Sequence, residues 1–164
     1  MVEFTDGKPI QDPSIIERFE EEHGITFPAD YKAVVLQNDG AYPTSSFVPV
    51  NDPNHGLQYY SCAQLLNYED TGNIFTLNPH NDDYLEPGVI AFGISGSGVL
   101  FCFDYRTDPD HPSIVVVTGE LDVTDGTNVP PLPVAPDFTT LINSFLPTSY
   151  ILEMLEAKKA KRNG

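Results

Sequence analysis

The chain has 164 residues, and its 24 Asp and Glu residues outnumber its 8 Lys and Arg residues, giving a formal net charge of −16 at pH 7. The length fits a single domain. The sequence contains neither a run of about 18 apolar residues nor a charged-then-apolar leader, which argues against a membrane span and a secretory signal and predicts a cytoplasmic protein.

Two helices are predicted in the first quarter of the chain. The first begins at Ser14, a suitable N-cap, and runs to Glu22, after which Gly24 is free to adopt a positive φ. The second begins at Pro28, which needs no backbone donor in a first helical turn. It ends within Asn38-Asp39-Gly40, a segment rich in helix-stopping residues.

The middle of the chain is rich in Pro, Asn, Asp and Gly. It offers one strand candidate, residues 46–50, and a short helix is predicted over residues 59–66. Residues 67–86 are polar, so they are interpreted as a connection that contains one helical turn near residues 73–77.

The strand signal is concentrated in three β-branched or aromatic segments, residues 89–92, 99–105 and 114–117, which are predicted to be adjacent antiparallel strands. The glycines of residues 93–98 suit the hairpin turn between the first two strands. Residues 118–134 are a candidate edge strand, because the prolines there forbid further central pairing.

Two more helices are predicted at the C-terminal end. Asp137 caps the first, whose buried face includes Phe138 and Leu141. The second is amphipathic and begins at Ser149, and its terminal lysines complement the helix dipole.

The charge is unevenly distributed along the chain. Four of the eight basic residues lie in the last seven positions, which leaves residues 1–157 with 4 basic and 24 acidic residues, a net charge of −20. Such a body repels phosphate backbones, so direct nucleic-acid binding is disfavoured and a basic protein partner is favoured. Considered alone, however, the charge is better explained as a means of keeping a small protein soluble.

No catalytic or cofactor motif is evident. The glycine segment lacks the lysine of a phosphate-binding loop. Cys62 and Cys102 are too few for a disulfide scaffold and lack the CxxC spacing of a zinc site, so they are predicted to be buried thiols. Asp104 is either a tuned acid or, as we favour, a strand-end residue that pairs with Arg106. We therefore predict no catalytic residue and no cofactor.

Three histidines, His55, His80 and His111, each lie among carboxylate and amide side chains that could serve as metal ligands. Their loops would have to converge to form a site, and Asn, Asp, Pro and His are also ordinary turn residues. We therefore predict turns and no metal site. Convergence of all three histidines would instead favour a small hydrolase.

Three blocks in the order found here resemble the SUKH superfamily. The first runs from Ile16 to Gly40 and contains a helix, a glycine, the motif Ile25-Thr26-Phe27-Pro28 and a second helix ending near Asn-x-Gly. The second comprises the three strand segments between Ile90 and Val117. The third is the closing helix from Asp137 to Leu146. The resemblance covers residues 15–146, flanked by an N-terminal segment, residues 1–14, and a C-terminal helix with a basic end, residues 147–164.

The resemblance implies a single α+β domain with a mostly antiparallel β-sheet and helices packed around it. Bacterial members are typically immunity proteins that neutralise toxins, often nucleases, whereas fungal relatives regulate cell-wall glucan synthesis through protein contacts. Members share no catalytic residues. The resemblance therefore favours a non-catalytic binding protein that covers the basic face of a toxin domain. The alternative is a regulatory scaffold related to the glucan-synthesis regulators.

The candidate contact residues are acidic side chains predicted to lie on loops around the sheet, with tyrosines as aromatic anchors. They are Asp39, Tyr42, Tyr59, Tyr60, Asp82, Asp83, Asp108, Asp110, Asp122 and Asp125.

Overall fold

The computed structural model of the chain describes residues 2–79 and 85–163. Within these residues every helix is too short or too polar to cross a membrane. The elements in chain order are β1 (Phe4–Thr5), α1 (Ser14–His23), α2 (Ala29–Gln37), β2 (Tyr42–Pro43), β3 (Phe47–Asp52), β4 (Gly56–Ser61), β5 (Gln64–Leu65), α3 (Asn73–Leu77), β6 (Val89–Ile94), β7 (Leu100–Asp104), β8 (Ser113–Val117), β9 (Leu132–Ala135), α4 (Phe138–Ser144) and α5 (Thr148–Asn163).

The strands form one main sheet and two small ones. The main sheet has five strands in the order β5-β6-β7-β8-β9, and every pairing in it is antiparallel. Strands β3 and β4 form a separate antiparallel hairpin, and β1 pairs with β2. The predicted α+β architecture with a mostly antiparallel sheet is confirmed.

Aromatic side chains join the helices to the main sheet. Phe92 of β6 and Phe103 of β7 stack with their ring centroids 4.4 Å apart. Tyr31 of α2 contacts both rings edge-on, at 5.7 and 5.1 Å, and Phe138 of α4 lies 5.4 Å from Tyr31. The Tyr31 hydroxyl is hydrogen-bonded to that of Tyr68 at 2.8 Å, so the buried polar ends are satisfied. Helices α2 and α4 therefore share one face of the sheet.

The helix predictions for the first quarter are confirmed within about one residue at each end. Gly24 has a φ of 65° and ends α1. The predicted cap at Ser14 is wrong, because Ser14 is itself the first helical residue. Its backbone N–H and its hydroxyl both donate to Oδ1 of Asp12, at 3.1 and 2.6 Å, and this carboxylate takes the capping role.

The short helix predicted over residues 59–66 is also wrong. This stretch ends β4 at Ser61 and contains β5. Strand β4 pairs with β3 along its whole length, from Asp52 opposite Gly56 to Phe47 opposite Ser61. The hydrogen-bonded pairing of β4 with β3 therefore outweighs the local helical pattern. The helical turn predicted near residues 73–77 is confirmed as α3.

The three predicted strands of the main sheet are confirmed as β6, β7 and β8, which are neighbours in that order. A bulge between Ala91 and Gly93 lets β6 continue to Ile94, so the turn to β7 is shorter than expected. The edge strand expected within residues 118–134 is β9, which lies at the border of the sheet and places Pro133 opposite Val115.

The predicted helices at the C-terminal end are both present. Asp137 caps α4 as expected, with its carboxylate accepting from the Thr140 backbone N–H at 2.7 Å. Helix α5 begins at Thr148, yet Leu152 and Leu155 are more than half exposed. The apolar side chains of α5 are therefore only partly covered by the domain.

Candidate partner-binding surface

The predicted contact residues occupy three separate places in the described part of the chain. Tyr59, Tyr60, Asp122 and Asp125 lie on the β3–β4 hairpin and the loop after β8. Asp39 and Tyr42 line a cleft near β2, and Asp108 and Asp110 lie on the loop before β8. Asp82 and Asp83 fall outside the described residues.

The first place is formed where the hairpin turn meets the loop between β8 and β9. The Asn54 side chain joins them, because its Nδ2 donates to the Leu121 carbonyl at 2.8 Å and its Oδ1 accepts from the Val123 N–H at 2.9 Å. His55 Nε2 also lies 3.3 Å from Oε2 of Glu120. We define the hairpin surface as residues 53–57 and 120–127.

Exposed apolar and acidic side chains alternate along the loop of the hairpin surface. Leu121 is 58% exposed and Val123 75% exposed, and Leu57 on the adjoining strand is 54% exposed. Glu120, Asp122 and Asp125 lie between or beside them in the chain. Large exposed apolar side chains that are rimmed by charged ones are typical of protein-binding surfaces.

The aspartates of this loop are held in tight local turns. Oδ1 of Asp122 accepts from the hydroxyl and the backbone N–H of Thr124, and Oδ1 of Asp125 does the same for Thr127. The bond from the Thr124 hydroxyl, followed by that from its backbone, lowers the pKa of Asp122. Asp122 is therefore negatively charged at neutral pH, and its orientation is set before any partner arrives.

A buried carboxylate lies beneath the hairpin surface. Asp52 is only 3% exposed, and its two oxygens accept from the Tyr60 hydroxyl at 2.5 Å and from the Asn54 N–H at 2.7 Å. Burial alone would raise the pKa of Asp52, but these hydrogen bonds outweigh it and the net pKa is lowered. Burial and the neighbouring Asp52 raise the pKa of Tyr60. Tyr60 therefore has a structural role, because its hydroxyl donates to the buried Asp52 carboxylate. In the sequence, only its aromatic ring indicated a role.

Tyr59 lies next to Tyr60 on β4 and contacts α5. Its ring centroid is 6.5 Å from that of Tyr150, in the first turn of that helix. Because Tyr150 is itself 44% exposed, this contact leaves both rings partly open to solvent. The start of α5 therefore adds aromatic area beside the hairpin.

The second place is an acidic cleft of about 360 Å³ near β2. Asp39 and Tyr42 line it together with Asp6, Lys8 and Glu69. The carboxylate of Asp39 accepts from the backbone N–H groups of Tyr68, at 2.8 Å, and Glu69, at 3.1 Å. Burial raises its pKa, against the effect of these two hydrogen bonds. Asp39 therefore supports the backbone at residues 68–69 and also lines the cleft.

The third place lies at the opposite end of β8 from the hairpin surface. Asp108 accepts from the Asp110 N–H at 3.0 Å, and this bond lowers the pKa of Asp108. His111 Nδ1 lies 3.2 Å from the other oxygen of Asp108. Asp110 also borders a broad cleft of about 1040 Å³ whose acidic lining residues are Glu17, Glu20, Glu21 and Asp110.

The candidates for chemistry have ordinary structural partners. Asp104 binds the Arg106 guanidinium through both oxygens, at 2.9 Å each, and the pKa of Asp104 is lowered, as the strand-end interpretation predicts. Cys62 and Cys102 are buried thiols, as predicted. His55 and His111 pair with different carboxylates at opposite ends of β8, and His80 falls outside the described residues.

The sequence interpretation missed the exposed apolar residues of the hairpin surface and the contribution of Glu120. In the sequence, strand residues are the natural interpretation of Leu57, Leu121 and Val123. Their neighbours in the chain do not reveal that these side chains are exposed rather than covered by another strand. Glu120 meets His55 only because the loop after β8 folds back onto the hairpin turn. The run of Asp and Thr after Glu120 is the available local signal, and such runs also form ordinary turns.

A family model described as the SMI1 / KNR4 family (SUKH-1) matches residues 12–144. No curated protein matches the chain at a significant level.

Proposed function

Because the chain belongs to the SMI1 / KNR4 family (SUKH-1), whose SUKH-type domains are often immunity proteins, we propose that it is a non-catalytic binding protein that neutralises a toxin. In this proposal it covers a basic face of the toxin domain and so blocks the toxin's access to its substrate. The protein acts in the cytoplasm, contacts no nucleic acid itself, and uses acidic loops for recognition.

The observation that carries this proposal is the composition of the hairpin surface. Leu57, Leu121 and Val123 offer exposed apolar area, and Glu120, Asp122 and Asp125 add negative charge at neighbouring positions of the loop that carries Leu121 and Val123. Protein interfaces gain most of their affinity from a few apolar or aromatic anchors, while charge complementarity governs encounter rate and selectivity. The hairpin surface supplies both components.

The fold explains how this surface remains in place during recognition. Strand β3 carries Val48 and Val50 into the core, whereas the loop beyond β8 is joined to the hairpin by the Asn54 amide. The acidic groups are thus presented on a supported turn, so little side-chain and loop entropy is lost on binding.

The net charge of −16 acts over a longer range than these contacts. A strongly negative protein attracts a positively charged partner before they touch, and the attraction weakens as salt is added. A toxin that binds nucleic acid has a basic face of the required kind. A nuclease is therefore the toxin class that best fits the proposal.

The test is capture of the partner followed by an inhibition assay. The tagged full-length chain is incubated with lysate of its native host at low and high salt, and the retained proteins are identified by mass spectrometry. A captured basic protein is then purified and its activity measured with increasing amounts of the chain. We expect inhibition to be complete at a defined stoichiometric ratio.

Two double variants locate the surface responsible. D122N/D125N removes two charges from the hairpin surface, and D108N/D110N removes the same number at the opposite end of β8 as the matched control. We expect the first to weaken binding and reduce its salt dependence, and the second to change both less. Capture only of cell-wall or signalling proteins, with no inhibition of a toxin, would favour the scaffold function instead.

A further inference from the structure

We propose that Asp52, His55 and Glu120 form a binding site for a divalent transition-metal ion such as Zn²⁺ at the base of the hairpin surface. The three side chains come from the end of β3, the hairpin turn and the loop after β8. One ligand atom from each lies within 4.8 Å of the other two. The proposal concerns metal binding itself and is independent of the partner-binding function.

The donor atoms are of the kinds that such an ion binds, and one pair of them already has the spacing of two ligands. One imidazole nitrogen and two carboxylate oxygens suit zinc and related ions, which bind these groups at about 2.0 to 2.2 Å. Two ligands of a tetrahedral ion are consequently about 3.3 to 3.6 Å apart. The distance from His55 Nε2 to Glu120 Oε2 is 3.3 Å, so this pair already has the separation of two zinc ligands.

The electrostatic balance of the cluster also favours a cation. With a neutral imidazole, Asp52 and Glu120 contribute two negative charges, and Asp52 is buried. The charged partners that the structure gives Asp52 and Glu120 do not include a lysine or an arginine among the described residues. A divalent ion would neutralise both carboxylates at once.

Neighbouring groups hold two of the ligands in position. The Tyr60 hydroxyl and the Asn54 N–H donate to Asp52, and the Asn54 side-chain amide lies 3.4 Å from Oε2 of Glu120. Outer hydrogen bonds of this kind orient metal ligands and strengthen binding. Three protein ligands leave a fourth position for water, and the half-exposed His55 and Glu120 give the ion a path from solvent.

His111 provides a contrast within the same chain. It too lies beside a carboxylate, Asp108, but among the described residues no third ligand group converges on this pair, and the His111 side chain is 85% exposed. The turn interpretation of the sequence therefore suffices for His111. At His55, by contrast, Glu120 from a distant part of the chain supplies a third ligand group, which the turn interpretation did not include.

The test is isothermal titration of the chelator-treated full-length protein with zinc chloride at neutral pH. We expect saturable binding of one ion per chain. H55A and E120Q should each weaken binding by at least about tenfold, and Y60F by about 10- to 100-fold through loss of ligand orientation. H111A should leave the affinity unchanged. His55 and Glu120 are preferred for substitution because replacement of buried Asp52 could unfold the chain.

A second readout assigns the ion to this place. In NMR spectra that resolve the histidine ring nitrogens, zinc should shift the Nε2 resonance of His55 and leave the ring of His111 unchanged, and circular dichroism should show that each variant is folded. Absence of saturable binding, or equal loss of affinity in H55A and H111A, would overturn the proposal. The first result would leave His55 with only its direct contact to Glu120.

Discussion

At Gly93, the backbone of β6 passes too close to Cys62 for a side chain to fit. A Cβ at this position would lie 2.6 Å from the Cys62 sulfur and 3.5 Å from Cβ of Phe101. Burial raises the pKa of the Cys62 thiol to about 12, so it stays protonated and fills space as a small apolar group. The glycine and the thiol are therefore a packed pair.

We expect G93A to lower the free energy of unfolding by about 1 to 3 kcal/mol, because the added methyl group overpacks the site. Removing the sulfur in G93A/C62A should recover part of this loss, which gives a favourable coupling between the two substitutions. The measurement is urea unfolding of the two single variants and the double variant.

The matched control is G96A in the β6–β7 turn, where an added Cβ has no heavy atom within 4 Å. Its free energy of unfolding should stay close to that of the parent chain. Equal losses in G93A and G96A would show that the close approach of Cys62 is not the cause.

Residues whose partners are near in sequence could be predicted at this scale. Gly24 ends α1, Asp137 caps α4, and Asp104 pairs with Arg106, as the local patterns indicate. Roles that depend on distant partners could not. Asp39 supports the backbone of residues 68–69, and Glu120 meets His55, and neither arrangement follows from local spacing.

At the scale of the elements, two carboxylates hold the start of α4. Asp137 accepts from the Thr140 N–H at 2.7 Å, and Asp30 of α2 accepts from the Thr139 N–H at 3.0 Å and from its hydroxyl at 2.6 Å. The first contact caps the helix and the second ties it to α2. Both carboxylates also complement the positive end of the helix dipole.

We expect D137A to lower the free energy of unfolding by about 1 kcal/mol at neutral pH, and D137N to lower it by less because asparagine also caps helices. Hydrogen bonds from Thr140 lower the pKa of Asp137 in the folded state. The contribution of its ionised form is therefore present above the unfolded-state pKa and is lost as the pH falls through the folded-state value.

The measurement is urea unfolding of the three proteins at several pH values. The difference between D137A and the parent chain should be largest near neutral pH and should shrink below about pH 4. A pH-independent difference, or identical losses in D137A and D137N, would contradict a capping role.

Helices and strands could be predicted where the residue pattern of the segment itself determines its structure. The prediction failed where the structure depends on pairing with another strand. The strands β6, β7 and β8 are continuous apolar segments bounded by turn residues, and their order follows from short connections. Residues 59–66 do not form a continuous apolar segment, and the part of this stretch that lies in β4 is only partly buried. Its strand conformation depends on pairing with β3, which lies outside the stretch.

For the molecule as a whole, the dominant property is unbalanced negative charge. The described clefts near β2 and beside α1 are both lined by several carboxylates, and the hairpin surface adds a third acidic region. A compact chain holds these charges closer together than the unfolded chain does. Their mutual repulsion therefore opposes folding.

We expect sodium chloride to raise the free energy of unfolding at pH 7, because screening removes more repulsion from the folded chain than from the unfolded one. The effect should be much smaller near the calculated isoelectric point of about 4.2. Urea unfolding between about 10 mM and 0.5 M salt, spanning Debye lengths from about 30 Å to under 10 Å, tests this.

The acidic pH serves as the control for effects of salt that do not depend on charge. If the salt dependence were the same at both pH values, repulsion among the carboxylates would not be its source.

At this scale the sequence allowed the family and the α+β class to be predicted, because both depend on the order of many blocks. Which acidic loops face the same way could not be predicted from composition. Asp108 and Asp122 lie in similar turns, yet β8 separates them. The division into residues 1–14, 15–146 and 147–164 stays a proposal.

The β3–β4 hairpin forms a sheet of its own, and this separation bears on how recognition can evolve. Its inward side chains, Val48 and Val50, belong to the core, whereas Leu57 on β4 is exposed. Substitutions at the exposed positions cost the core little stability. Descendants of this chain could therefore track a changing partner through mutations there, while the five-stranded sheet and its aromatic contacts are inherited unaltered.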